Sequence, residues 1–174
     1  RMGLRWGADF SLDELRRAHD AVFIAIGAQQ SQGLRCQGEE LARSGLGFLA
    51  GVAGDTPPTL GPDVIVVGGG NTAMDAARTA RRLGANVTIV YRRTLKEMPA
   101  RVEELHHALE EGIRVQELRA PSEFLGDGKT NFVTHAVLDV NELGPPDPSG
   151  RRSPMKTGRA ERVPVDLVIM ALGN

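Results

Sequence analysis

Three stretches of the chain are unbroken apolar runs ending at glycine. They are Asp20-Ala-Val-Phe-Ile-Ala-Ile-Gly27, Asp63-Val-Ile-Val-Val67 ahead of Gly68, and Asp166-Leu-Val-Ile-Met-Ala-Leu-Gly173. Short continuous apolar runs of this kind predict strands buried on both faces, as in a parallel sheet. Asn86-Val-Thr-Ile-Val90 and Arg114–Leu118 predict two more strands. Between the strands the period lengthens. Ala73, Met74, Ala76, Ala77, Ala80 and Leu83 recur at helical spacing and stop at Gly84. Val102, Leu105 and Leu109 predict one face of a second helix that ends at Gly112, with Pro99 in its first turn. Ser11-Leu-Asp-Glu14 has the spacing of a capping box, which predicts a short helix to about His19. Residues 29–61, rich in Gly, Gln, Ser and Pro, read as a connecting segment with one helix near Leu46, Phe48, Leu49 and Val52.

Later in the chain the period becomes two. Phe132, Thr134, Ala136, Leu138 and Val140 alternate with Val133, His135, Val137 and Asp139, the signature of a half-exposed strand. Gly144-Pro-Pro-Asp-Pro-Ser-Gly150 reads as a long turn, followed by a return strand through Arg162–Pro164. Strands alternating with helices predict an α/β fold built on a parallel sheet. An antiparallel β-meander near residues 115–165 would replace one crossover helix.

Composition narrows the class without choosing a function. The 174 residues include 21 basic and 22 acidic side chains, so the net charge of -1 gives no footprint for nucleic acid or an anionic membrane. No apolar run reaches the roughly 18 residues of a membrane span. The opening Arg1-Met2-Gly3-Leu4-Arg5-Trp6 is too short and too charged for a signal peptide. The single cysteine, Cys36, excludes an internal disulfide, a Cys-x-x-Cys pair and an iron–sulfur site made from this chain alone. It reads as an inert thiol in a cytoplasmic protein. The chain opens on Arg1 and stops at Asn174, directly after an apolar run, which fits a piece excised from a longer protein. His19, His106, His107 and His135 have neither zinc spacing nor a nucleophile partner, so no metal-ligating or catalytic residue is assigned.

The chemistry concentrates after the second apolar run. Gly68-Gly69-Gly70-Asn71-Thr72-Ala73 has the spacing G-x-G-x-x-A between a buried strand and a helix, the dinucleotide fingerprint of a Rossmann-like fold. Gly68 would make the tight turn, Gly70 would admit a pyrophosphate to the backbone, and Ala73 would let helix pack on strand. The N–H groups of Asn71, Thr72 and Ala73 would face the anion at the positive helix end. The next strand runs into Val90-Tyr91-Arg92-Arg93, where an NAD site would place Asp or Glu. Two guanidinium groups and no carboxylate there predict a 2′-phosphate, hence NADPH. Arg92 is the leading candidate, with Arg93, an adenine-stacking Tyr91 and Arg101 as helpers.

Gly68-Gly-Gly-Asn-Thr-Ala-Met-Asp75, Tyr91-Arg-Arg-Thr94 and Glu97-Met-Pro-Ala100, in that order, resemble the NADPH-binding domain of the glutamate synthase small (beta) subunit family. Dihydropyrimidine dehydrogenase shares this domain, as do, more distantly, thioredoxin-reductase-like flavoproteins. The resemblance implies an FAD domain split in two, with this domain inserted between the halves and an iron–sulfur segment in the same parent chain. It assigns residues 1–60 to the end of the first FAD half plus linker, and 61–174 to the NADPH-binding domain. Asp20–Gly27 resembles the strand that closes the first FAD half. Asp166–Gly173 resembles the strand that closes the NADPH domain, with Ala171 and Gly173 near the nicotinamide. The parent would pass hydride between nicotinamide and flavin and could serve a large catalytic subunit, and this piece would hold only the nicotinamide end. A stand-alone NADP(H)-binding module is the alternative. A complete dehydrogenase of the Tyr-x-x-x-Lys type is excluded, because Tyr91 has no lysine four positions later.

Overall fold

In the computed structural model, which describes residues 2–27, 32–54 and 58–173, the first half of the chain forms α1 (Leu12–Ala18), β1 (Arg43–Ser44), α2 (Gly45–Ala53), β2 (Asp63–Val67), α3 (Asn71–Arg82) and β3 (Asn86–Tyr91). The second half forms α4 (Val102–Glu110), β4 (Arg114–Glu117), β5 (Arg119–Gly126), β6 (Val133–Pro146), β7 (Arg152–Pro164) and β8 (Leu167–Met170). A five-stranded parallel sheet runs β1-β8-β2-β3-β4, and a three-stranded antiparallel sheet runs β5-β6-β7. The fold is therefore α/β and Rossmann-like, with the meander standing where a crossover helix would join β4 to β8.

Alternation along each buried strand builds two cores. Val64 and Val66 of β2, with Val87 and Ile89 of β3, face the helices. Ala73, Ala76, Ala77 and Ala80 lie flush on that face, and their small side chains bring α3 close to the sheet. Ile65 and Val67, with Val90, Val168 and Met170, face the meander and pack on Phe124, Ala136 and Leu138. The sheet is thus apolar on both sides, which is why its strands show no alternation in sequence. Residues 43–54 precede the boundary expected at 61, yet β1 pairs with β8 and Phe48 of α2 enters the helix-side core.

Several local expectations need correction. Asp20–Gly27 is not a strand: it joins neither sheet, and Phe23 is 92% exposed. Its matching run at Asp166–Gly173 does form the buried β8. Pro99 precedes α4, whose N-cap is Arg101, and Val102 is 74% exposed. Of the expected stripe, Leu105 packs against the core while Val102 and Leu109 are exposed, and Ala108 is the residue that α4 buries fully. The strand parity at Phe132 also fails. Val133 is buried and Phe132 exposed, because the register shifts between Leu125 and Gly126 where β5 pairs with β6. The long turn is shorter than expected, with pairing reaching Pro146 and Arg152. The capping box at Ser11 forms in full, with Ser11 N donating to Glu14 at 2.7 Å. Asn174, where the sequence stops, and the linker residues 28–31 and 55–57 lie outside the described residues.

Candidate functional site

At the C-terminal ends of the parallel strands the chain must leave β2 and turn at once into α3. Gly68 makes that turn at φ 143, and a Cβ there would lie 2.3 Å from the Ala171 carbonyl oxygen, so only glycine fits. Its N–H donates to the Val90 carbonyl at 3.1 Å, and Ala100 N donates to Gly69 O at 2.9 Å. Gly69 is confined from below, where a Cβ would meet the Tyr91 ring at 2.6 Å. Gly70 differs from both: no atom lies within 4 Å of its Cβ position, so the space in front of it is open.

That space belongs to a cavity of about 560 Å³, within the range of small-molecule sites. Gly68, Gly69, Gly70 and Tyr91 line it, together with Arg92, Arg93, Ala171 and Gly173. A second cavity of about 570 Å³ lies at the opposite ends of the strands, around Asp63, Asn86 and Arg114. Ligands of open α/β sheets sit at the carboxyl ends, where helix N-termini add positive potential, so the first cavity is the candidate.

Four expected residues do not line it. Ala73 is wholly buried and its N–H donates to Gly70 O at 3.0 Å, so it offers no anion contact. The N–H groups of Asn71 and Thr72, at the first two positions of α3, have no acceptor within the helix. Asn71 uses its side chain otherwise: Oδ1 accepts from the Arg101 N–H at 3.1 Å. This bond ties the start of α4 to the start of α3 and holds the exposed Arg101 beside the loop.

The end of β3 sorts its three residues by alternation. Tyr91 is 8% exposed, and its hydroxyl donates to the Glu97 carbonyl at 2.9 Å. A ring so enclosed supports Gly69 from below, and what remains exposed of it lines the cavity. Arg92 points to solvent. Arg93 is 8% exposed, and its Nε is buried without a hydrogen-bond acceptor. A buried guanidinium that lacks an acceptor is costly unless an anion supplies one. Both arginines line the cavity, Arg93 as the buried guanidinium of the pair and Arg92 as the exposed one.

Sequence reasoning missed several contributors to the cavity wall, Glu97, Arg119, Arg151 and Gly33 among them. The Glu97 carboxylate caps its own turn by accepting from Thr94 N and the Thr94 hydroxyl. Those bonds, with Arg152 and Arg93 nearby, hold the Glu97 carboxyl below its usual range. Arg119 and Arg151 come from the meander, and Gly33 from the linker. Arg119 is spent on Glu161, with contacts of 3.1 and 2.8 Å. The Glu39 carboxylate organises the linker by accepting from Leu34 N and Arg35 N at 3.1 and 2.6 Å. The usable signal was position: Arg119 opens the meander just past β4, and Arg151 closes its hairpin turn. Cys36 packs against the meander-side core, and burial, then Glu39, pushes its thiol up, the opposite of an activated thiolate.

The profile of the pyridine nucleotide-disulphide oxidoreductases matches residues 8–174. The chain belongs to that family. This pyridine nucleotide-disulphide oxidoreductase chain is 42% identical over 177 residues to the NADPH-Fe(3+) oxidoreductase subunit beta of Geobacter sulfurreducens, covering 98% of this chain and 26% of that protein. It is 38% identical over 184 residues to the glutamate synthase [NADPH] small chain of Escherichia coli, covering 96% of this chain and 38% of the relative. The resemblance to glutamate synthase small subunits is thereby borne out, and the chain spans well under half the length of either relative. Mycobacterium tuberculosis FprA in complex with NADPH aligns with a TM-score of 0.75 at 23% identity, over 92% of this chain and 51% of that one. At that identity the likeness is one of fold. Among the described residues no helix is long and apolar enough to cross a membrane.

Proposed function

We propose that this chain is the NADPH-binding domain of a longer, FAD-dependent oxidoreductase, holding nicotinamide for hydride transfer to or from a flavin carried elsewhere in that protein. One observation carries the reading: Arg93, nine-tenths buried with an unaccepted Nε, lines the same cavity as the open space before Gly70. A dinucleotide with a 2′-phosphate meets both demands. The Gly68–Gly70 turn and the N–H groups of Asn71 and Thr72 would hold the pyrophosphate. Arg93, with Arg92 from the solvent side and Arg101 beside the loop, would hold the 2′-phosphate. Ala171 and Gly173, at the end of β8, would border the nicotinamide.

The bound nicotinamide supplies the hydride, and the chain's own residues bind and orient it. Glu97 stays ionised on the Thr94 turn, and the nearby Arg93 and Arg152 offset its charge toward the extra phosphate. The names of the relatives, which specify NADPH, support the same cofactor. The folded unit would start near residue 32 instead of 61, since β1 and α2 are built into it. Residues 2–27 would belong with the first half of the FAD domain, and an iron–sulfur segment would lie elsewhere in the same cytoplasmic protein.

Calorimetric titration with NADPH, NADH and FAD tests the reading. NADPH should bind best, and Arg93→Ala should weaken it by about tenfold or more, the value of a charge-assisted contact. Arg92→Ala should cost less. Equal affinity for NADH, or tighter binding of FAD, would overturn the assignment.

A further inference from the structure

β6 and β7 form a long hairpin that pairs from His135 with Pro164 up to Pro146 with Arg152. Its tip reaches the C-terminal edge of the parallel sheet, where Arg151 lines the cavity. The tip is held in shape by Asp147. Oδ1 accepts from Ser149 N at 2.9 Å and from Arg151 N at 3.0 Å, and Asp147 N donates to Arg151 O at 2.9 Å. The two neighbouring arginines then divide. Arg152 turns back into the hairpin, its Nε and Nη2 donating to the carbonyls of Gly144 and Leu143 at 2.9 and 3.0 Å. Arg151 has no hydrogen-bond acceptor for its guanidinium among the described residues, only the charge of Asp147 nearby.

Arg151 lines the same cavity as Arg93 and Glu97. Beyond the Thr94 hydroxyl that chiefly lowers its pKa, the Glu97 carboxyl also feels Arg152 and Arg93, so hairpin and β3 end converge on one carboxylate. Since Glu97 is bonded to Thr94, Arg93 and Arg151 face the cavity as two guanidinium groups lacking acceptors, one nine-tenths buried.

We propose that Arg151 is a specificity-determining residue that completes the 2′-phosphate site from the meander, in the cavity that Arg93 also lines. The proposal rests on the NADP(H) reading above. A phosphomonoester dianion offers enough oxygens for several arginines, whereas the ribose hydroxyl of NADH leaves Arg151 nothing ionic to grip. This gives the meander a function at the site, since a crossover helix in its place would end without a hairpin tip at the strand ends.

The test compares the purified wild-type protein with Arg151→Ala, Arg151→Lys and Arg159→Ala, each checked for an unchanged melting temperature. The probes are NADPH, NADH, 2′,5′-ADP and 5′-AMP. Arg159, exposed on β7 and outside the cavity wall, removes the same charge from the same hairpin. Arg151→Ala should weaken NADPH and 2′,5′-ADP by about tenfold and leave NADH and 5′-AMP within about twofold. Arg151→Lys should keep part of the preference, because an ammonium supplies charge without the planar fork. Arg159→Ala should change neither. The inference is overturned if Arg151→Ala keeps the wild-type NADPH-to-NADH ratio, or if Arg159→Ala lowers it equally, which would make the effect one of net charge. A wild-type protein that does not distinguish NADPH from NADH would sink the cofactor reading itself, and this inference with it.

Discussion

Gly69 and Tyr91 approach each other so closely that changing one strains the other. A Cβ on Gly69 would lie 2.6 Å from the ring and 3.1 Å from Met98, and the ring is fixed by its hydroxyl bond to the Glu97 carbonyl. Gly69→Ala should therefore destabilise the protein by about 1–3 kcal/mol, the usual cost of overpacking. Tyr91→Phe should cost about 1 kcal/mol, for one hydrogen bond. Combining Gly69→Ala with Tyr91→Leu should cost less than the sum of the single changes, because the smaller side chain relieves the clash. Urea unfolding measures all of these, and additive losses would mean that the contact is not the source of strain. The fingerprint at Gly68–Ala73 was legible in the sequence because a strand–turn–helix junction demands glycine at fixed spacing. The support that Tyr91 gives Gly69 was not, since a ring beneath a loop and a ring stacked on a base have the same sequence. Strand alternation through Ile89, Tyr91 and Arg93 did carry a usable signal: it turns Arg93 inward and Arg92 outward.

Whole elements were legible where burial was continuous and obscure where a neighbour decides. β2, β3, β8 and α3 follow from apolar runs and a helical period. α4 was legible as a helix but not in its buried face, which is set by the fit of Ala108 against the core and by ion pairs to α3. Arg78 reaches Glu104 at 2.6 Å and Glu111 at 2.9 Å, and Arg82 reaches Glu111 at 2.8 Å. The Arg78 contact, with Arg82, holds the Glu111 carboxyl below its usual value. A carboxyl whose pKa is depressed on folding stabilises fully above its unfolded value, about 4.3 for glutamate, and loses that contribution as pH falls through the folded value. The melting temperature should accordingly drop as pH falls from about 5 to 3, partly because of this clamp. Glu111→Gln should be less stable than wild type at pH 7 and should flatten the acid limb. A mutant that melts like wild type at pH 7 would show the clamp to be energetically silent, as many exposed ion pairs are.

At the scale of the molecule, the described residues divide into a packed unit from about residue 32 onward and a leading segment that contributes little to it. α1 buries no residue, and Phe23, Ile24 and Ile26 are exposed large apolar side chains. Apolar side chains gain free energy only when removed from water, so this segment adds little to the stability of the two cores as they stand. Deleting residues 1–27 should shift the melting temperature by no more than about 4 °C, the equivalent of roughly 1 kcal/mol for a domain of this size. Because the deletion also removes a contiguous apolar stretch, it should reduce self-association and dye binding to exposed hydrophobic surface. Differential scanning calorimetry and light scattering on the two forms decide the matter. A large loss of cooperativity on deletion would mean that the segment packs on the core in solution. An unchanged melt with less association would mark the Asp20–Gly27 run as a strand whose sheet neighbours come from outside the 174 residues.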